Sequence, residues 1–168
     1  MSRIIKILSL AAWAVVAAGA PAQAHRSTGS AFEAAFGSCG DRCVIRYNPG
    51  GVVPTFLAAA IAVRAGEKKL VVIDGPCISA CAIFADVARA KVCITDRAKF
   101  GFHKGREFAS ERRPGGKRVF RELGRRDPPH SRDIASWVQR NGGFPYEGLR
   151  VMNSKQAGQF WRRCPGRA

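Results

Sequence analysis

One serine stands out because of its neighbours. Ser79 lies between Cys77 and Cys81, directly after a Gly-Pro break in the stretch IDGPCISACAIF. A serine hydroxyl becomes a nucleophile when a base removes its proton, and His103 follows 24 residues later. A helix starting at this point would place free amides and a positive dipole end beside Ser79, which suits a developing oxyanion. The alternative is structural, because serine is also a favoured N-cap whose oxygen accepts a helix amide.

The surrounding sequence alternates strands and helices. Apolar and β-branched patterns predict strands at residues 43–47, 70–74, 91–95 and 99–103, and helices at 53–65 and 78–90. This order is typical of an α/β fold with a mainly parallel sheet and right-handed crossovers. Ligand sites in such folds lie at the carboxyl ends of the strands, so the Gly50-Gly51 pair and the Ser79 turn should meet at one sheet edge.

These motifs occur in a familiar order. The stretch RYNPGGVV…AAAIAVRAGEKKLVVIDGPCISACAIF…ARAKVCITDRAKFGFHKG resembles the Clp-type proteolytic subunit of the ClpP/crotonase-like fold. The likeness covers about residues 43–105. The CxSAC core with a later GxH resembles more closely a set of small exported bacterial proteins classed as Clp-protease-like. The resemblance implies an α/β fold of ββα-type repeated units, with a mainly parallel sheet and flanking helices.

The resemblance also implies roles for individual residues. Ser79 would be the nucleophile and His103 the general base of peptide or other acyl transfer through an acyl-enzyme. The amide of Ala80 and one amide from Gly50 or Gly51 would form the oxyanion hole. No cofactor is expected.

The chain differs from the family at the third residue of the catalytic triad. The family places an aspartate just before its last helix, where this chain has Arg150 in the stretch EGLRVMNSKQA. Asn153, Glu147 and Asp133 are the candidates to orient His103 instead. A slow hydrolase and a catalytically inactive, ClpP-like binding module are both compatible with this gap.

The cysteines predict disulfides in an exported protein. There are six of them, an even number: Cys39, Cys43, Cys77, Cys81, Cys93 and Cys164. Cys39 and Cys43 could close a short loop, and Cys77 or Cys81 could bridge to Cys93. Alternatively Cys81 is a small buried residue without a partner. No metal site is expected, because no histidine lies at zinc-finger spacing from these pairs.

The first residues predict export. Arg3 and Lys6 precede an apolar run that ends in Ala22-Gln23-Ala24, which is typical of a signal peptide cleaved near Ala24. The run is shorter than the roughly 20 residues of a spanning helix, which disfavours a retained anchor. The predicted organisation is a signal peptide at 1–24 and a single domain at 25–168, in the periplasm or secreted.

The chain is strongly basic. Lys and Arg number 28 against 12 acidic residues, and removing Arg3 and Lys6 lowers the net charge from +16 to +14. Residues 104–133 hold ten of these cations and five acids, and we expect a mobile basic excursion there, with a helix at 117–123. Further helices are predicted at 134–140 and from 154 to about 162.

The charge and the resemblance together limit which partners are expected. A basic surface favours an anionic lipid surface or an acidic polymer, and nucleic acid is not expected outside the cell. Clp-type subunits form rings, so a homo-oligomer is one option. Their unfolding ATPase is not expected as a partner, because an exported chain has no ATP.

Overall fold

The computed structural model describes residues 30–68 and 70–165. In chain order the helices are α1 (Ala31–Phe36), α2 (Val53–Arg64), α3 (Ala80–Val87), α4 (Arg132–Arg140) and α5 (Ser154–Ala157). The strands are β1 (Arg42–Ile45), β2 (Leu70–Ile73), β3 (Pro76–Ile78), β4 (Val92–Ile94), β5 (Lys99–Phe102), β6 (Gly105–Arg112), β7 (Arg118–Arg126), β8 (Arg150–Asn153) and β9 (Arg162–Arg163). The predicted signal peptide at 1–24 lies outside the described residues.

A parallel four-stranded sheet in the order β1-β2-β4-β9 forms one layer of the fold. Its central strands β2 and β4 carry continuous runs of valine, isoleucine and cysteine that are almost entirely buried. Such runs are typical of a parallel strand covered on both faces. The predicted α/β class with a parallel sheet is therefore confirmed.

A second sheet, in the order β3-β5-β8, lies where the sequence predicted a single strand. β3 runs parallel to β5, and β8 runs antiparallel to it. β3 has only three residues between two turns, too few to show a period. It displaces the start of the following helix to Ala80, two residues later than predicted.

Helix α3 is the centre of the core. Every residue from Ala80 to Asp86 is buried, so the helix has no solvent face over this span. Phe84 packs edge-on against Phe32 and Phe36 of α1. The Trp161 ring stacks on Phe100 at 4.2 Å, and its indole N–H donates to the carbonyl of Ala85 at 2.8 Å. These contacts fix the helix that begins directly after Ser79.

Residues 104–133 differ from their prediction. In place of a helix at 117–123, β6 and β7 form an antiparallel hairpin around the Pro-Gly-Gly turn. The helical interpretation was wrong because the hairpin strands carry charged residues on both faces, so no alternation of apolar and polar residues marks them as strands. The helix predicted at 134–140 is confirmed as α4.

The end of the described chain also differs from prediction. The last helix was expected to reach about residue 162, but α5 ends at Ala157 and the chain then adds β9 beside β4. None of the helices within residues 30–68 and 70–165 is long and apolar enough to cross a membrane.

All six cysteines are paired. The disulfides are Cys39–Cys43, Cys77–Cys81 and Cys93–Cys164. The predicted short loop is confirmed. A bridge from Cys93 to the serine turn was a wrong prediction, and so was an unpaired Cys81. Cys93 instead bonds Cys164, which directly follows the β9 strand that pairs with β4.

Candidate active site

Ser79 has a strained backbone. Its φ of 56° and ψ of −120° fall in a region that residues with a side chain rarely adopt. No other non-glycine residue in the described ranges has a positive φ. Ser79 occupies the N-cap position of α3, yet its side chain makes no capping hydrogen bond. The structural alternative, a serine kept as a side-chain cap, therefore does not describe this residue.

The contacts around Ser79 hold it in that conformation. Its amide donates to the Gly101 carbonyl at 2.8 Å, and its carbonyl accepts from the amides of Ala82 and Ile83. The Cys77–Cys81 disulfide spans the serine, with its two Cα atoms 5.2 Å apart. Strain of this kind persists only where the surrounding structure imposes it.

The Gly50 loop packs directly on the serine turn. Asn48 bridges Cys77, and the amide of Ile78 donates to the Asn48 carbonyl at 2.9 Å. A Cβ atom on Gly50 would lie 2.5 Å from the Ile78 carbonyl oxygen and 2.8 Å from the Ser79 Cβ. Only glycine fits here, and its φ of 86° also requires glycine. The two loops thus meet at one sheet edge.

The amides that could form an oxyanion hole differ in whether they already donate a hydrogen bond. The Gly50 amide donates to the Asn48 Oδ1 atom at 2.8 Å and is occupied. The Ala80 amide is the first of α3, and the first amides of a helix have no acceptor within that helix. Gly51 is the remaining glycine of the pair. Ala80 and Gly51 are therefore the two amides that could receive a developing negative charge beside Ser79.

His103 follows β5, the parallel neighbour of β3, so both candidate catalytic residues lie at the carboxyl ends of adjacent strands. The His103 Nδ1 atom lies 2.8 Å from the Lys104 carbonyl oxygen. A carbonyl oxygen can only accept, so Nδ1 carries the proton and the neutral ring has its lone pair on Nε2. Within the part of the chain that the structure describes, no hydrogen bond joins the Ser79 hydroxyl to His103. Such bonds are often long in unliganded sites and tighten in the substrate complex.

The three candidates for the orienting residue lie in different places. Glu147 is exposed and lines an open concavity of about 390 Å³ together with His103. Asn153 caps α5 and pairs with Lys99, at the opposite end of β5 from His103. Asp133 is bonded to Arg89 at 2.6 Å. Of the three, only Glu147 shares a surface with His103.

The concavity beside His103 is basic. Arg106 and Arg125 come from paired positions of the hairpin, and Lys104 lies 5.1 Å from the centre of the Tyr146 ring. Ion pairs offset part of this charge, since Lys104 contacts Asp127 at 3.4 Å. The arrangement favours an anionic group in the concavity beside His103.

The sequence analysis did not predict a cluster of one serine, one histidine and one aspartate that lies apart from Ser79 and His103. The Ser131 hydroxyl donates to Asp86 at 2.7 Å, and the His130 Nδ1 atom lies 3.3 Å from the same carboxylate. Serine and histidine both bond the aspartate and not each other, so this is not a catalytic triad. Its one signal in the sequence was Asp86 itself, an acid inside an otherwise apolar helix.

The carboxylate of Asp86 stays ionised although it is buried. Burial alone would raise its pKa, but hydrogen bonds from His130 and Ser131 outweigh this effect and lower the pKa to about 2. The His130 side chain is only 1% exposed and its ring stacks on Phe144. The cluster therefore joins α3 to the start of α4 and is structural.

The described residues contain no group of three His, Cys, Asp or Glu side chains that could hold a metal ion. Comparison with known proteins found no matching family model, no similar curated protein and no similar solved structure.

Proposed function

We propose that this chain is an exported serine hydrolase of ClpP-like type, with Ser79 as the nucleophile and His103 as the general base. The observation that carries the proposal is the strained backbone of Ser79, at φ 56° and ψ −120°, with no capping bond to account for the serine. Strain at a non-glycine residue is concentrated at functional sites, where it presents a side chain that a relaxed turn would not.

In the proposed reaction the Ser79 Oγ atom attacks a carbonyl carbon while the His103 Nε2 atom takes the hydroxyl proton. The tetrahedral oxyanion accepts hydrogen bonds from the amides of Ala80 and Gly51. When the bond to the leaving group breaks, the imidazolium gives its proton to that amine or alcohol, and an ester on Ser79 remains. Water then attacks the ester while His103 takes its proton, and the imidazolium returns that proton to the Ser79 oxygen as the carbon–oxygen bond breaks and the acid leaves.

The Lys104 carbonyl takes the orienting position that an aspartate holds in a complete triad. It fixes the His103 tautomer, and the Lys104 amide donates to Pro145 at 3.0 Å, which holds the peptide in place. A neutral carbonyl stabilises an imidazolium less than a carboxylate does. Without a carboxylate to stabilise the imidazolium, we expect slower turnover than a complete triad gives.

The class assignment is supported by the order of the elements. A strand, a Pro-Gly-Gly loop, a helix, a strand, a serine turn, a helix and a strand ending in histidine follow one another as in the Clp-type subunit. Three disulfides are compatible with an oxidising compartment outside the cytosol. The proposed substrate is a peptide or another acyl compound, and no ATPase partner is proposed.

Active-site titration with a fluorophosphonate probe tests the proposal. We expect stoichiometric labelling of the oxidised protein, with loss of labelling in Ser79→Ala and in His103→Ala. Ser131→Ala is the matched control, because Ser131 also lies beside a histidine and an aspartate. Equal labelling of wild type and Ser79→Ala would overturn the proposal.

A noncatalytic binding module is the second candidate. It is favoured by the absence of a carboxylate bonded to His103 in the described residues. A folded wild type that the probe does not label would support it.

A further inference from the structure

The β6–β7 hairpin is a free-standing element. In the part of the chain that the structure describes, its two strands pair only with each other. Isolated two-stranded hairpins are marginally stable, and nothing in the core depends on the outer half of this one. The base of the hairpin contacts Tyr146 through Arg125, whereas the side chains of its outer half are mostly exposed.

The charges of the hairpin are paired along its length but not at its tip. It carries eight Lys or Arg residues against three Glu. All three acids are in ion pairs: Glu107 with Arg126, Glu111 with Arg121, and Glu122 with Arg125. Within the described ranges the tip cations have no acidic partner, and these cations are Arg112, Arg113, Lys117 and Arg118. The tip is thus an unneutralised cluster of four charges around one turn.

Two of these cations oppose each other directly. Arg112 pairs with Arg118 across the strands, and like charges in that position destabilise a hairpin. Bound anions would remove the repulsion. The pair therefore favours a partner that supplies negative charge at the tip.

The same face of the hairpin carries two exposed phenylalanines. Cross-strand partners share a face, and this face takes Phe108 opposite Glu122, Ser110 opposite Phe120, and Arg112 opposite Arg118. Phe108 is 51% exposed and Phe120 is 64% exposed. The opposite face holds Glu111 and Arg121, which neutralise each other. The hairpin is therefore two-sided, with phenylalanines and free arginines together.

We propose that this face of the hairpin docks on the surface of an anionic lipid bilayer. Arginines at the tip would bind lipid phosphates, and each cation near such a surface adds to the affinity. Phenylalanine has no polar atom, so Phe108 and Phe120 gain by entering the boundary between headgroups and acyl chains. A dissolved acidic polymer would neutralise the arginines but offer no apolar layer for the two rings. This inference does not depend on the proposed hydrolase activity.

Vesicle sedimentation tests the proposal on the purified, oxidised full chain. We expect binding to vesicles of mixed phosphatidylglycerol and phosphatidylcholine, weakened by salt, and much weaker binding to pure phosphatidylcholine. Replacing Arg112 and Arg118 with glutamine should lower the affinity roughly 30-fold, at about fivefold for each charge. All variants keep the same N-terminal residues, so any contribution from that segment cancels.

Two matched controls separate the tip from charge and exposure in general. Changing Arg121 and Arg126 to glutamine also removes two positive charges from the hairpin. Both arginines are already ion-paired with glutamates, so we expect the vesicle affinity to fall less than threefold. For the rings, Phe120→Ser should weaken vesicle binding at least fivefold. Ile61→Ser on α2 should leave it unchanged, although Ile61 is as exposed, at 63%.

Three outcomes would overturn the inference. The first is an equal loss in the two arginine pairs, which would indicate a diffuse charge effect. The second is no retention on phosphatidylglycerol vesicles. The third is tip-dependent binding to polyglutamate that Phe120→Ser leaves intact, without vesicle binding, which would assign the face to an acidic polymer.

Discussion

At the scale of one residue, the backbone of Ser79 carries a cost in stability. A serine that adopts a φ of 56° costs on the order of 1–3 kcal/mol relative to a relaxed backbone. The hydroxyl makes no hydrogen bond within the described residues that would repay this cost. The strain is thus a stability loss that no hydrogen bond of the hydroxyl offsets.

Ser79→Gly should therefore be more stable than Ser79→Ala, by about 1 kcal/mol, because glycine adopts a positive φ without strain. Thermal unfolding of the two variants measures the difference. At Ser136, which is exposed in the middle of α4, the order should reverse, since glycine lowers helix stability relative to alanine. Equal stability of the two Ser79 variants would contradict the strain argument.

Asp86 is the residue on which acid stability depends. Its pKa is about 2 in the folded chain against an ordinary value of 3.8. A lowered pKa means that the ionised group stabilises the fold above about pH 4, and that this contribution disappears as the pH falls towards 2. The pKa of Asp133 is also lowered, first of all by its hydrogen bond to Arg89, so its stabilising contribution is likewise lost as the pH falls below about 4.

Asp86→Asn should lower the free energy of unfolding by roughly 3 kcal/mol at neutral pH. The change removes the buried negative charge to which Arg89 and Ser131 donate hydrogen bonds. The loss of stability between pH 4 and pH 2 should also become shallower. Denaturant unfolding across that range measures both effects. Asp96→Asn is the control, since the Asp96 side chain is 97% exposed and its ion pair with Arg163 should matter by less than about 0.5 kcal/mol.

The candidate site shows what a sequence reveals about single residues. Ser79, His103 and the glycine pair were found because turn residues after strands follow simple rules. The role of the Lys104 carbonyl was not predictable, because every residue has a carbonyl and only geometry selects one. Asn153 was a candidate to orient His103. It pairs with Lys99 at the start of β5, whereas His103 follows the other end of that strand, where Arg150 pairs with Phe102.

At the scale of elements, the predicted strands and helices were right where the apolar pattern was long. β2 and β4 lie in continuous apolar runs bounded by turn residues, and α2 is an Ala-rich run of 12 residues. β3, β8 and β9 have two to four residues each, and their existence depends on partners distant in sequence. The hairpin was missed because its strands are charged on both sides, so no core face marks them.

Two of the disulfides should have different roles: Cys93–Cys164 should mainly stabilise the fold, and Cys77–Cys81 should mainly position the serine turn. In the chain-entropy account, closing a loop with a separation of 71 stabilises by about 4 kcal/mol, against about 2 kcal/mol for a separation of four. Removing Cys93–Cys164 with two alanines should therefore lower the melting temperature most. Removing Cys77–Cys81 should cost less stability but should reduce fluorophosphonate labelling at least tenfold, because that bond spans Ser79.

Removal of Cys39–Cys43 is the matched control for the positioning bond. It closes a loop of the same length away from Ser79, so stability should fall by a similar amount while labelling stays. Equal losses of labelling in the two variants would show that the serine turn responds to global stability and not to its own bond.

At the scale of the whole molecule, the hairpin and the core should be separable. Glu107 and Gly124 are paired across the strands, so joining them by Asn-Gly and deleting residues 108–123 leaves a short hairpin at the same place. The melting temperature should change by only a few degrees and probe labelling should stay, while vesicle binding disappears. Unfolding of the shortened chain would show that the hairpin supports the core.

The bond across Ser79 also sets a condition on when the site can exist. A newly made chain in a reducing cytosol has free thiols, so nothing covalent holds the turn between positions 77 and 81. Oxidation outside the cytosol closes that turn. On the proposed function, the protein would be harmless to the cell that makes it and would acquire its reactivity only after delivery.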